Sequence, residues 1–137
     1  RAKQTAQIIL KEHDVLLHED ERLKEVNFGV LEGLPCSFVD TLHLESLSWL
    51  DDLEMDYTSY QGENIDDVII RQQKVLKEIE KISNEEDCIV VVGHGCSLYA
   101  LIKTLLKDEK IAFPGNASAY ILCKKNNEYK LEKYLRP

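Results

Sequence analysis

Residues 88–107, CIVVVGHGCSLYALIKTLLK, restrict the fold more than any other stretch. Residues 89–92 are an unbroken β-branched run, with the length and composition of a strand buried on both faces. Gly93-His94-Gly95 interrupts it, and Leu98, Leu101, Ile102, Leu105 and Leu106 then recur at the spacing of one helix face. The expected unit is a strand that turns through two glycines into a helix. In open α/β sheets ligands gather at the carboxyl ends of strands, and a helix N-terminus there favours an anion. A histidine on that turn can donate a hydrogen bond to a phosphate oxygen or shuttle a proton. It can equally do no more than cap the helix.

The 137 residues are enough for one domain with a core that needs no metal or disulfide staples. A net charge of −8 argues against nucleic acid or an anionic membrane as partner, because both call for a basic face. A small anionic substrate needs only a local positive pocket. No run is long and apolar enough for a transmembrane helix, and no signal-peptide pattern opens the sequence. Cys36, Cys88, Cys96 and Cys123 show no CxxC spacing. They are expected as reduced thiols of a cytoplasmic protein, without a disulfide framework or zinc site. His13, His18, His43 and His94 are scattered, so no metal site and no cofactor are expected.

Along the chain, Ala2, Ala6, Ile9 and Leu10 predict a helix over residues 2–11, with Arg1 at its N-terminal edge. A cation there opposes the helix dipole unless it serves an anion. Residues 15–18 read as a short edge strand flanked by surface histidines. Residues 23–33, LKEVNFGVLEG, form a loop whose glycines and asparagine break any period. Glu25 is its candidate acid, and an exposed charge is the plainer reading. Residues 35–60, acidic and aromatic, are expected as a helical insertion or lid, or as a helical hairpin completing the core. Asn64 is a good N-cap for a helix with Ile65, Val68, Ile69, Val75, Leu76, Ile79 and Ile82 on one face. Arg71 and Lys74 fall off that stripe, and Glu78 and Glu80 read as its solvated side. Residues 119–125 and 129–134, joined at Asn126-Asn127, predict a C-terminal hairpin.

Five stretches in order resemble the histidine phosphatase superfamily, which includes the cofactor-dependent phosphoglycerate mutases. RAKQTAQII at residues 1–9 resembles the family's R-A-x-Q-T-A helix start, and LKEVNFGVLEG its L-x-E-x-x-F/Y-G-x-x-x-G loop. GEN at residues 62–64 stands where the family carries G-E-S. VVVGHGCSLYALI at residues 90–102 resembles its strand–H-G–helix element, and Asn116-Ala117-Ser118 its N-x-S. The resemblance implies a three-layer α/β/α sandwich with a mostly parallel sheet, forming a single domain over residues 1–137. It implies that Arg1 clamps a phosphoryl group through its planar fork. His94 would stabilise the phosphoryl group in transfer, and Glu25 would protonate the leaving oxygen and then activate water. Backbone N–H groups near Gly95 would add donors, and Asn116 would shape the pocket.

The family's R-H-G motif, whose histidine takes the phosphoryl group covalently, does not occur here. In the family it lies upstream of the stretch matching residues 1–9. The chain is therefore expected to be N-terminally truncated, lacking the first strand–helix–strand unit, and inactive alone. The full-length protein is expected to hydrolyse a small phosphorylated substrate through a phosphohistidine. Phosphoglycerate mutase-type transfer and a non-catalytic phosphate-binding scaffold remain alternatives. The insertion is shorter than mutases usually carry, which favours a phosphatase. No G-x-S-x-G supports a hydrolase of the α/β type, and no arginine follows Cys96 before Arg136 to close a cysteine-phosphatase loop.

Overall fold

The computed structural model describes residues 1–35, 55–107 and 110–137. Among the described residues, three α-helices and one β-hairpin form: α1 (Ala2–Leu10), α2 (Ile65–Ile82), α3 (Gly95–Leu106), β1 (Ala119–Lys125) and β2 (Glu128–Leu135). α2 begins where its local chemistry says it should. Asn64 is extended and its side chain accepts the N–H of Asp66, satisfying one orphan donor of α2. Asp66 and Asp67 then complement the dipole in the first turn.

The hairpin forms as expected. Asn126 and Asn127 both take positive φ, 51° and 67°, the geometry a two-residue hairpin turn demands. The strands pair antiparallel from Lys125 with Glu128 to Ala119 with Leu135, with a register shift between Ile121 and Leu122. Tyr120 and Tyr134 stack across the pair with ring centroids 4.6 Å apart.

Among the described residues, a core cluster joins the 24–33 loop to α2 and α3. Val26 and Leu31 of the 24–33 loop, Met55 and Tyr57, Ile65, Val68 and Ile69 of α2, and Ala100 of α3 are all buried in it. The loop read as irregular is thus anchored by its own apolar residues, with two short 3₁₀ turns at Glu21–Leu23 and Gly29–Leu31. Met55 and Tyr57, at the end of the expected insertion, belong to this core. Residues 36–54 of that expected insertion, with His43, lie outside the described residues.

Two expectations need correction. Residues 15–18 and 89–92 form no β-ladder among the described residues, and the run expected to be buried on both faces leaves Ile89 47% and Val90 65% exposed. A strand is buried by its neighbours, and the only ladder among the described residues is β1–β2. Here the structure is a partial α/β fold: helices and an antiparallel pair. No helix among the described residues is long and apolar enough to cross a membrane.

Candidate active site

The site forms where the 24–33 loop meets the start of α3. His94 is the N-cap of α3 in extended geometry, and its side chain makes no capping bond. The missing cap comes from Glu25, about seventy positions earlier in the chain. Its Oε1 accepts the Ser97 N–H at 2.8 Å and the Val26 N–H at 3.0 Å, and its Oε2 accepts the Cys96 N–H at 3.3 Å. The α3 N-terminus therefore holds an anion, as its dipole favours, and that anion is the candidate acid. Oε1 is saturated by two donors, whereas Oε2 carries one longer bond and is the oxygen with room for a transferable proton.

The N–H groups of Cys96 and Ser97 serve Glu25, and that of Leu98 closes on the His94 carbonyl. On the neighbouring side, the Phe113 ring lies 3.6 Å from where a Cβ on Gly95 would stand, so the 113–116 loop also approaches the turn. Burial, followed by the negative charge of Glu25, pushes the Cys96 thiol up to about 11. That keeps it protonated and gives it no nucleophilic role.

The loop carrying Glu25 is held from α2. Arg71 directs all five of its N–H donors inward. Nε and Nη2 bind the two oxygens of Glu63 at 3.0 Å each. Nη1 reaches the carbonyls of Arg22 at 2.5 Å and Lys24 at 2.9 Å, and Nη2 also reaches that of Glu25 at 3.0 Å. Glu63 in turn accepts the Asn27 N–H at 2.9 Å, and its own N–H donates to the Asn27 carbonyl at 2.8 Å. Burial works to raise the Glu63 carboxyl, but its hydrogen bonds from Arg71 and Asn27 outweigh that and hold it below the ordinary glutamate value. Sequence reasoning placed Arg71 off the apolar stripe. The signal was present: Arg71 lies three residues after Val68 and four before Val75, both buried.

Glu25 and His94 thus meet at one helix end. Arg1 is exposed at the start of α1, where its carbonyl accepts from Thr5. Asn116 is exposed in a turn, and no hydrogen bond among those described joins either residue to Glu25. A separate groove of about 640 Å³, lined by Lys77, Glu80, Thr104, Lys107, Lys124 and Tyr129, lies at the opposite end of α3.

The chain is similar to known proteins in fold and family. Among solved structures, a mycobacterial glucosyl-3-phosphoglycerate phosphatase in its native form is similar at TM-score 0.80 and 25% identity, over 96% of this chain and 71% of that one. A protein described as mycobacterial hydrolase 2 is similar at TM-score 0.79 and 24% identity, over 96% and 65%. YhfR of Bacillus stearothermophilus is similar at TM-score 0.75 and 22% identity, over 96% and 67%. The chain spans about two thirds of the length of these proteins. No curated protein matches it. The profile of the histidine phosphatase superfamily, branch 1, matches residues 1–135, and the chain belongs to that enzyme family.

Proposed function

We propose that this chain carries the acid and phosphate-facing part of a phosphomonoester hydrolase of the histidine phosphatase type. The observation that carries the reading is the contact between Glu25 and the first turn of α3, beside His94. Glu25 protonates the leaving ester oxygen from Oε2, then takes a proton from the attacking water. His94 donates to an oxygen of the phosphoryl group in transfer, and the Gly95 N–H adds a second donor. Arg1 binds the phosphoryl group through its fork, and Asn116 lines the entrance. The substrate is a small phosphorylated organic molecule. The similarity to a glucosyl-3-phosphoglycerate phosphatase supports a phosphatase over a mutase.

The finer features of the fold belong to the same reading: a single domain, three-layered, with a mostly parallel sheet. The three described cysteines are free thiols, which supports a reducing, cytoplasmic setting. The sequence contains no R-H-G to accept the phosphoryl group, so the isolated chain binds phosphate weakly and turns nothing over.

Inorganic phosphate titrated into the ¹⁵N-labelled chain tests this. Shifts are expected at His94 and Gly95 and are lost in His94→Ala, with no hydrolysis of p-nitrophenyl phosphate. Absence of phosphate-induced shifts at the turn defeats the site assignment. A phosphohistidine formed by the isolated chain defeats the claim of inactivity.

A further inference from the structure

We propose that Arg71, together with Glu63, is a positioning residue for Glu25, an inference that rests on reading Glu25 as the proton-transferring acid. The carbonyls of Arg22, Lys24 and Glu25 all converge on one guanidinium. Three carbonyl dipoles aimed at one point repel one another, so this loop conformation is conditional on the cation at its centre. Arginine suits the role because its rigid fork offers five donors, and all five are used; a lysine ammonium offers three.

Glu63 does the complementary work. It neutralises Arg71 and fixes the next part of the loop through two hydrogen bonds to Asn27. Glu25 is thereby held by Arg71 through its own carbonyl and bracketed by Glu63 two residues later, with Val26 between them 2% exposed in the core. With its Cα fixed from both sides, the side chain has one direction left, across to the α3 N-terminus. Neither Arg71 nor Glu63 bonds to His94 or Gly95 among the described contacts, so the pair acts through Glu25.

The amides of Val26, Cys96 and Ser97 report Glu25 directly, and ¹H–¹⁵N spectra of the full 137-residue chain read them. In the wild type these three amides exchange slowly with solvent, and Glu25→Ala speeds the exchange of all three. In Arg71→Lys and Glu63→Gln, exchange of the Cys96 and Ser97 amides rises by at least roughly tenfold, the scale of one lost charge-assisted hydrogen bond, while β1–β2 amides keep their protection. Retention of the wild-type exchange rates in both variants overturns the proposal. Loss of β1–β2 protection in both variants also overturns it, because the pair is then a general stabiliser. The functional reading fails by a different sign: no phosphate-induced shift at His94 and Gly95 in the wild type.

Discussion

Glu25 and Cys96 are coupled through charge, and the coupling has measurable consequences. At pH 8, a thiol pushed up to about 11 is ionised in roughly one molecule in a thousand. Iodoacetamide should therefore label the exposed Cys88 and leave Cys96 unmodified, as peptide mapping will show. Glu25→Gln, which removes the negative charge beside it, should speed labelling of Cys96. Glu25→Ala strips the acceptor from the Cys96 and Ser97 N–H groups and should cost about 1–3 kcal/mol in urea unfolding. Glu63 adds a pH dependence. Its folded value lies below the ordinary 4.5, so its contribution is complete well above that pH. The contribution fades as pH falls through 4.5 and is gone below the folded value. Glu63→Gln should flatten that acid limb of the stability profile.

The loop that carries Glu25 is packed backbone to backbone against residues 60–62. A Cβ on Gly29, whose φ is +60°, would stand 1.9 Å from the Tyr60 carbonyl oxygen, and one on Gly62 would stand 2.5 Å from that of Asn27. Gly29→Ala should cost about 1–3 kcal/mol from the left-handed φ alone, with the clash added, and should lower the thermal midpoint accordingly. Elements whose start and turn chemistry is local were legible in the sequence: the Asn64 cap, the Asn126-Asn127 turn and the helix after Gly95. The acid at residue 25 and the histidine at residue 94 were legible as a pair only through the resemblance, because nothing in their own neighbourhoods shows that a loop will cap a distant helix. Arg71 was missed for a related reason. A charged residue at the margin of an apolar stripe reads as solvated until the carbonyls it binds come from another element.

At the scale of the whole molecule, apolar residues remain outside. Val15, Leu16, Ile89 and Val90 are 65%, 81%, 47% and 65% exposed, all in segments without ladder partners among the described residues. Composition shows that such runs prefer burial, but not which strands will bury them. Exposed apolar runs without partners of this kind promote association. Light scattering of the isolated chain should show concentration-dependent oligomers, and the double variant Leu16→Lys, Val90→Lys should shift it towards monomer. A monodisperse wild type at high concentration would contradict this.

Leu31 and Met55 enter the same core cluster, so the polypeptide leaves and rejoins one fixed body at two pinned points. Closing a span between pinned ends grows costlier only slowly with its length, by about 0.6 kcal/mol for each doubling. What runs between those pins can therefore be lengthened or trimmed at little cost to the body that holds Glu25 against the start of α3.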